Sequence, residues 1–267
     1  MPSPSEANKD SKTNITGEEL ATFAIAFKDK IRMSDYIAEQ FRINASLPPV
    51  TPEMIAKLAV KIPPSKNKKL TDKTLVLDLD NTLVYVMTAQ AFDSKKIFKD
   101  ADVRSAKYID TKKGTTMKLK VIIRPYAIEM IKQLTSYYEI LIFTAANKAY
   151  GDAVINELDP TNTLIDYRLY RDSCIRSNGS YVKDLRILNR KMESIVMVDD
   201  SIAAFSSHLE NGIFIPPFTG AEPDNELGAL WIFLRQITSA TDVRVPIAAK
   251  YNLSFFYKMF SIDKAQK

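Results

Sequence analysis

The sequence has very little cysteine and histidine: Cys174 and His208 are the single residues of each type among 267. One cysteine excludes a disulfide within the chain and is typical of a reducing compartment, so we expect an intracellular protein. One histidine gives little support to Ser-His-Asp catalysis or to a histidine-rich zinc site. We therefore predict that Cys174 is a small buried residue and that His208 is structural or exposed.

Long apolar runs are also missing. No run approaches the roughly 20 residues of a membrane-spanning helix, and the N-terminal stretch from Met1 to Asn14 lacks the apolar core of a signal peptide. We expect no membrane span. The net charge of +5 is too small to indicate nucleic-acid binding by itself, and we expect no direct contact with nucleic acid. Basic residues outnumber acidic ones between Phe92 and Lys120, which predicts either a solvated lysine-rich face or attraction of an anionic substrate.

The chain is long enough for one α/β domain with a smaller appendage, since domains usually contain about 100–200 residues. Apolar residues make up 46% of it and charged residues 26%, as in typical folded proteins. We expect, in order, a flexible tail, a helical appendage, a basic linker, the main domain and a helical tail packed on that domain: residues 1–14, 15–60, 61–73, 74–240 and 241–267. Periodicity predicts appendage helices that start at Thr16, after Ser34 and at Thr51. The linker lysines resemble a nuclear-import signal, which favours the nucleus over the cytoplasm.

The stretch KTLVLDLDNTLVYV, from Lys73 to Val86, is the centre of the predicted main domain. Its apolar run is typical of a strand buried on both faces of a parallel sheet, and it leads directly into Asp78 and Asp80. A turn there would bring the two carboxylates close enough to share a hard cation. The alternative is an acidic turn that only ends a core strand.

Two further apolar runs also end in polar residues. The run ending at Phe143 is followed by Thr144, and the run ending at Val198 is followed by Asp199 and Asp200. Helical patterns from Pro125, Asn147 and Asp224 alternate with these strands, and a small antiparallel insert is predicted between Tyr85 and Lys120. This alternation predicts a doubly wound parallel sheet, whose ligands bind beyond the carboxyl ends of the strands. The polar residues should therefore share one crevice, with Lys183 added from a loop.

Such a crevice favours phosphoryl transfer. Clustered carboxylates cannot all ionise without a cation, which predicts Mg²⁺ with its preference for oxygen ligands. One carboxylate could then attack phosphorus and form an aspartyl-phosphate; we assign this role to Asp78. Thr144 and Lys183 would stabilise charge on the phosphoryl oxygens. Asp80 would protonate the leaving oxygen and then deprotonate the attacking water.

Four motifs resemble those of the haloacid dehalogenase superfamily: Asp78-x-Asp80-x-Thr82, Phe143-Thr144-Ala145, Tyr181-Val182-Lys183-Asp184-Leu185 and Val198-Asp199-Asp200-Ser201. With Arg124-Pro125 and Arg171-Asp172-Ser173-Cys174, they are similar to the Fcp/Scp family, the phosphatases of the RNA polymerase II C-terminal domain. The resemblance covers roughly Lys73 to Ile237. It implies a Rossmann-like fold without a large cap.

The resemblance also implies roles for single residues. Mg²⁺ would be held by Asp78, the backbone carbonyl of Asp80 and Asp200, with Asp199 nearby. The expected substrate-binding residues are Arg171, Thr82 and Asn81. The sequence departs from the family pattern at three positions, where Asn81 replaces the usual Glu, Asp200 the usual Asn and Tyr85 a frequent His.

The spacing of the motifs leaves little room for a cap, since only about 60 residues separate Thr82 from Thr144. An open site beside a basic insert suits phosphoserine or phosphothreonine in an extended protein segment, such as the RNA polymerase II C-terminal domain. The alternatives are a small-metabolite phosphomonoesterase and a catalytically weak or inactive binding scaffold. A scaffold would be expected to lack Asp78 or Asp80, and both are present. A cysteine-based phosphatase would need Cys-x₅-Arg, and Ser180 stands at the position of that arginine.

Overall fold

The computed structural model describes residues 31–58, 62–63 and 69–258. The chain divides into two compact units, Met1–Glu39 and Gln40–Lys267. The described residues of the first unit are helical, and all described strands lie in the second. The predicted tail, residues 1–14, and the helix predicted from Thr16 lie outside the described residues, except for the last residue of that helical pattern, Ile31.

The strands are β1 (Lys73–Leu77), β2 (Val84–Thr88), β3 (Val103–Asp110), β4 (Thr115–Ile123), β5 (Tyr138–Phe143), β6 (Tyr167–Leu169), β7 (Ile175–Ser177), β8 (Ser180–Val182), β9 (Ile195–Asp199) and β10 (Gly212–Phe214). The described residues include the α-helices α1 (Ile31–Ser46), α2 (Pro52–Leu58), α3 (Ala89–Phe92), α4 (Ala127–Leu134), α5 (Lys148–Leu158), α6 (Glu226–Gln236) and α7 (Arg244–Lys250). Short 3₁₀ helices connect several of them, at Arg171–Ser173, Leu185–Leu188, Met192–Ser194, Ile202–His208 and Ile237–Ser239.

The main sheet has five parallel strands in the order β10-β9-β1-β5-β6. Every residue of β1, β5 and β9 is buried, as their continuous apolar runs predict for strands covered on both faces. Leu77 is in register with Ile142 on one side and Val198 on the other. The carboxyl ends of these three strands therefore lie level with one another, which confirms the predicted parallel α/β sheet.

The segment after β1 forms a second sheet of three antiparallel strands in the order β2-β4-β3. Its turn closes at Gly114, which has a φ of 64° and donates its backbone N–H to the Asp110 carbonyl. Glycine adopts this left-handed conformation without steric cost. The predicted small antiparallel insert is confirmed, and it is too small to cover the site as a cap.

Helices pack on the main sheet through apolar stripes. In α4 the buried residues are Ala127, Met130, Ile131 and Leu134, so the helix predicted from Pro125 begins two residues later. Asn147 caps α5 by accepting a hydrogen bond from the Tyr150 N–H at 3.0 Å. These helices bury the apolar side chains on which the sheet depends.

One predicted helical boundary was wrong. The helix expected to start after Ser34 is part of the continuous α1, because the packing of a buried residue such as Phe41 outweighs the weak local preference of serine for a cap. The described part of the helical tail predicted over residues 241–267 contains α7, which is followed by a break at Asn252, where φ is 44°. Residues 253–258 form a separate helical stretch. In the described part of the chain, no helix combines the length and apolar character needed to cross a membrane.

Candidate active site

A cavity of about 530 Å³ opens at the carboxyl ends of β1, β5 and β9. Its lining includes all six residues predicted for catalysis or metal binding: Asp78, Asp80, Thr144, Lys183, Asp199 and Asp200. The register of the three strands explains the convergence of the acids and Thr144, which lie at or just beyond strand ends at the same edge of the sheet. Lys183 is added from the segment after β8. Arg171 and Tyr150 line the same cavity.

Lys183 joins two of the carboxylates. Its Nζ lies 2.5 Å from Asp78 Oδ1 and 2.7 Å from Asp199 Oδ2, and its side chain is 3% exposed. Burial by itself would lower the pKa of Lys183, but the charges of Asp199 and Asp78 raise it by more, so the amine stays protonated. One ammonium group is thereby held in position between two acids.

The acidic cluster is larger than one lysine can neutralise. Carboxylate oxygens of Asp78, Asp199 and Asp200 lie within 4.8 Å of one another. Burial raises the pKa of Asp199 to about 7, with Lys183 opposing the shift. Burial and the charges of Asp199 and Asp78 raise the pKa of Asp200 to about 8. Three close oxygen donors with uncompensated charge fit a hard divalent cation.

Asp80 lies beside this cluster in a different environment. Its Oδ1 accepts a hydrogen bond from the Tyr150 hydroxyl at 2.5 Å. Burial raises the pKa of Asp80 to about 6, the hydrogen bond from Tyr150 opposes the rise, and the charge of Asp78 adds to it. Asp80 therefore exchanges a proton near neutral pH, as a general acid and base must.

Tyr150 is a site residue that the sequence argument missed. Asn147, the cap of α5, immediately precedes the helix, and Tyr150 lies in its first turn at the edge of the sheet where the polar residues meet. A cap residue followed by a tyrosine in the first turn of a helix that starts beyond β5 was the sequence signal that could have indicated Tyr150 as a site residue.

Thr144 and Arg171 occupy the β5 side of the cavity. Thr144 is 1% exposed, and its Oγ1 accepts a hydrogen bond from the Ala146 N–H at 3.0 Å. Arg171 is exposed at the mouth, where its Nε donates to the Ala145 carbonyl at 2.6 Å and its guanidinium lies over the Tyr181 ring. An exposed guanidinium thus lies at the entrance, and the threonine hydroxyl lies deeper in the cavity.

Thr82 and Asn81 do not line the cavity, which differs from the substrate-binding role expected for them. Thr82 is fully buried, and its Oγ1 accepts a hydrogen bond from the Asp200 N–H at 3.2 Å. Asn81 has a φ of 61°, and its carbonyl accepts from the Phe218 N–H at 2.7 Å. Both residues follow β1 in a turn that bends away from the opening, so they support the loops behind the carboxylates.

Arg124 supports the same loops from within the protein. Its side chain is completely buried and donates to the Thr82 carbonyl at 3.1 Å and to the Pro216 carbonyl at 2.9 Å. Its Nε lies 3.1 Å from both carboxylate oxygens of Asp224. This arginine clamp ties the turn after β1 to the loop before α6.

The two residues singled out for their rarity lie near the site without lining the cavity. His208 Nε2 is 3.0 Å from Oδ1 of Asp184, the residue that follows Lys183. Asp184 also pairs with Arg186, and the bond to His208 links the Lys183 loop to the 3₁₀ helix after Asp200. Cys174 is buried, as predicted, and burial raises the pKa of its thiol to about 12, so it is not a thiolate at neutral pH.

The last residues of α1 lie against the site from outside the strands that build it. The Gln40 Oε1 accepts a hydrogen bond from the Ser201 hydroxyl at 3.2 Å, and Ser201 lines the cavity next to Asp200. The Asn178 amide donates to the Ser46 carbonyl at 2.8 Å. Phe41, between these contacts, is 1% exposed. This part of the chain therefore supports one wall of the cavity.

The position of β1 in the middle of the parallel sheet, with Asp78 and Asp80 beyond its end, is the arrangement of the haloacid dehalogenase fold. Residues 73–244 match the family model of the NLI interacting factor-like phosphatases. The chain belongs to this family, as an Fcp/Scp-type member of the superfamily.

Two curated relatives agree with this placement. The chain is 34% identical over 194 residues to the CTD small phosphatase-like protein 2 of Dictyostelium discoideum, covering 73% of the chain and 32% of that protein. It is 32% identical over 224 residues to the CTD small phosphatase-like protein 3 of Caenorhabditis elegans, covering 84% and 74%. A solved structure of Fcp1, an RNA polymerase II CTD phosphatase, superposes with a TM-score of 0.49 at 21% identity, covering 71% and 62%. The chain thus spans from about a third to about three quarters of the length of these two curated relatives.

Proposed function

We propose that the protein is a Mg²⁺-dependent protein serine/threonine phosphatase that acts through an aspartyl-phosphate on Asp78. The observation that carries the proposal is the position of Asp78 in an open cavity, where it is paired with the ammonium group of Lys183 and lies close to the carboxylates of Asp199 and Asp200. A carboxylate held by a fixed cation, with a second acid of raised pKa beside it, has the parts needed for transfer and hydrolysis.

The first step is attack of the Asp78 carboxylate on the phosphorus of a phosphoserine or phosphothreonine. The bond from phosphorus to the side-chain oxygen breaks, and protonated Asp80 donates its proton to that oxygen, releasing the free hydroxyl. Lys183 and Thr144 would interact with the equatorial phosphoryl oxygens. The burial that raises the pKa of Asp80 to about 6 keeps part of the population protonated near neutral pH.

The second step is hydrolysis of the aspartyl-phosphate. Asp80, now a carboxylate, accepts a proton from a water molecule whose oxygen attacks phosphorus. The bond from phosphorus to the Asp78 oxygen breaks, and inorganic phosphate leaves with Asp78 restored. One residue thus serves as acid and then as base, and the hydrogen bond from Tyr150 holds its carboxyl group in place for both proton transfers.

The acidic cluster supports the assignment of the metal. Asp78, Asp199 and Asp200, with the backbone carbonyl of Asp80, would hold Mg²⁺ through oxygen ligands alone. When bound, the ion supplies positive charge that offsets the negative charge of the cluster and of the phosphoryl group.

The shape of the site supports a protein substrate. Neither the three-stranded insert nor the short β7-β8 hairpin forms a lid domain, so an extended segment has access to the cavity. The two curated relatives named above are CTD small phosphatase-like proteins. We extend that substrate to this chain and propose a phosphorylated extended segment such as the RNA polymerase II C-terminal domain, which would place the protein in the nucleus.

Replacement of Asp78 with Asn tests the proposal. We expect turnover of a phosphoserine peptide to fall by at least about a thousandfold, because the amide is not a nucleophile. The melting temperature should be kept or raised, since one charge leaves a crowded acidic cluster. The matched control is Asp159→Asn. Asp159 is a buried acid away from the cavity that accepts hydrogen bonds from the backbone N–H groups of Thr163, Leu164 and Ile165. That variant should lose stability and keep turnover.

Three results would contradict the proposal. Turnover retained by the Asp78→Asn variant would exclude Asp78 as the nucleophile. Absence of Mg²⁺-dependent hydrolysis in the unaltered protein, with phosphopeptide still bound, indicates a binding scaffold. Sugar or nucleotide phosphates hydrolysed far faster than phosphopeptides indicate a metabolite phosphatase.

A further inference from the structure

One face of the three-stranded insert carries exposed lysines that the proposed chemistry does not use. Side chains alternate between the two faces of a strand, so every second residue of β3 and its partner on β4 share this face. The antiparallel register places Lys107 opposite Lys118, Ser105 opposite Lys120 and Ile109 opposite Thr116. We call this surface the lysine face; it consists of Ser105, Lys107, Ile109, Thr116, Lys118 and Lys120.

The charges of the lysine face are not balanced within the protein. Lys107 and Lys118 are exposed, and neither forms an ion pair within the part of the chain that the structure describes. Like charges directly opposite each other on paired strands destabilise the pair. Lys120 donates a hydrogen bond to the Ser105 hydroxyl at 3.0 Å and lies over the Phe92 ring, and it forms no ion pair with a carboxylate of the described residues. An anionic partner would relieve this repulsion.

The lysine face also has an apolar edge. Ile109 is 62% exposed, one of the most exposed large apolar side chains in the described residues. It lies two residues along β3 from Lys107, on the same face. None of the six residues of the lysine face is aromatic, and the neighbouring Phe92 ring is half-buried with the Lys120 ammonium group 5.5 Å from its centre. Single-stranded nucleic acids are bound chiefly by stacking of bases on exposed aromatic side chains, so positive charge next to one exposed aliphatic side chain suits a polypeptide better.

The strand that carries the lysine face also borders the catalytic cavity. Tyr108, between Lys107 and Ile109, points to the opposite face of the sheet and packs edge to face on Tyr150 with the ring centres 5.7 Å apart. Tyr150 lines the cavity. Since an extended chain advances about 3.3 Å per residue, a segment of several residues leaving the cavity is long enough to pass the edge strand β3 and reach the lysines.

We propose that the lysine face binds an acidic stretch of the polypeptide substrate, several residues away from the phosphorylated residue in the cavity. The acidic groups are glutamate, aspartate or further phosphorylated side chains. This inference rests on the proposed function for the identity of the substrate, and it adds a second contact that selects segments rich in negative charge. Attraction by the exposed lysines depends on ionic strength, because surface charges are screened by salt.

A direct binding experiment on the full chain tests the lysine face without requiring turnover. The probe is a fluorescein-labelled peptide of alternating glutamate and serine, with no phosphate, followed by fluorescence anisotropy. We expect binding that weakens with added salt, and a loss of about tenfold or more in affinity in the variant Lys107→Thr/Lys118→Thr. The matched control is Lys132→Thr/Lys191→Thr, which removes two exposed lysines from other elements and should bind as the unaltered protein does.

A kinetic experiment connects this surface to catalysis. For a phosphoserine peptide with an acidic tail, the Lys107→Thr/Lys118→Thr variant should raise KM about tenfold with kcat unchanged. For the same peptide with a glycine-serine tail, both constants should stay the same. The double variant should melt at the same or a higher temperature, because a repulsive pair has been removed and threonine favours strands.

The outcomes separate this inference from the proposed function. Binding of the acidic peptide that depends on Lys107 and Lys118 supports the lysine face even if no phosphopeptide is hydrolysed. Equal affinity in the double variant and the unaltered protein overturns it, as does a KM effect of equal size for both tails. Tighter binding of a single-stranded RNA than of the acidic peptide, lost in the same variant, would assign the face to nucleic acid.

Discussion

At the scale of single residues, the site depends on two acids, two positions apart, that have different surroundings. Asp78 is paired with Lys183, whereas Asp80 has no cation within hydrogen-bonding distance among the described residues and instead accepts a hydrogen bond from the Tyr150 hydroxyl. The spacing of the two acids predicted that both would reach the cavity, but it did not distinguish their partners. Those partners come from a loop and a helix about 70 to 105 residues further along the chain.

Replacing Tyr150 with Phe should change the pH dependence of the reaction. Release of the serine oxygen needs protonated Asp80, so the rate falls as pH rises through its pKa of about 6. Burial raises this pKa and the hydrogen bond from Tyr150 lowers it, so removing the hydroxyl should move the fall to higher pH. The measurement is a profile of kcat for a phosphoserine peptide between pH 4.5 and about 8.

Tyr170→Phe is the control for this prediction. The Tyr170 hydroxyl also donates to an aspartate, Asp152, but that pair does not line the cavity. Loss of the Tyr170 hydroxyl should leave the pH profile of kcat unchanged. A Tyr150→Phe profile that moved to lower pH, or did not move, would contradict the role assigned to the hydrogen bond.

At the scale of elements, the strands of the main sheet were predictable and some of the supports between them were not. Continuous apolar runs identify β1, β5 and β9 because each is buried on both faces. Arg124 gives no such signal, since a charged residue after an apolar run normally marks a strand end at the surface. Its complete burial follows from three loops that meet around one guanidinium, a long-range arrangement that local sequence does not encode.

Arg124→Met should destabilise the protein by about 3 kcal/mol, because removal of one partner from a buried ion pair leaves polar groups without compensation. The expected loss is at the lower end for such pairs, since the remaining carboxylate of Asp224 is 27% exposed. Chemical denaturation measures the change. The control is Arg104→Met, whose half-exposed pair with Asp102 should contribute no more than about 1 kcal/mol. Equal losses in the two variants would show that the clamp has no special weight.

At the scale of the whole molecule, the sequence predicted which residues meet but not how the loops behind them are held. Parallel topology is enough to bring Asp78, Thr144 and Asp199 to one edge, because their strands are neighbours in register. The conformation of the turn after β1 could not be predicted from topology, since the direction in which Thr82 points depends on the fold of residues 198–218. Thr82 was therefore expected at the substrate and is found beneath Asp200.

The charge of the acidic cluster should make stability depend on pH and on Mg²⁺. The pKa values of Asp199 and Asp200 are raised to about 7 and about 8, above the ordinary value for aspartate. Their contribution is therefore most favourable when both are protonated, and it is lost as pH rises through these values. Without divalent ions the melting temperature should fall from about pH 4, the ordinary pKa of aspartate, to about pH 8 and level off above that. Saturating Mg²⁺ should raise it and reduce its pH dependence, because the ion binds only the native state.

Differential scanning calorimetry with EDTA or MgCl₂ measures both effects, and the same EDTA treatment should abolish turnover. In Asp200→Ala the stabilisation by Mg²⁺ should be smaller, since one oxygen ligand is removed. A melting temperature that does not respond to Mg²⁺ in the unaltered protein would argue against the cluster as a metal site.

The packing of α1 and of the C-terminal helices bears on what can be cut away. The family model covers residues 73–244. Outside these limits, Phe41, Ile62 and Ile247 are each less than 5% exposed, and the Tyr251 ring packs edge to face on Phe233 of α6. A fragment trimmed to the limits of the family would therefore leave bare apolar patches and a Ser201 side chain without its glutamine partner. Such a fragment should aggregate more readily than the full chain, and its low yield would reflect missing flanks rather than a defect in the catalytic centre.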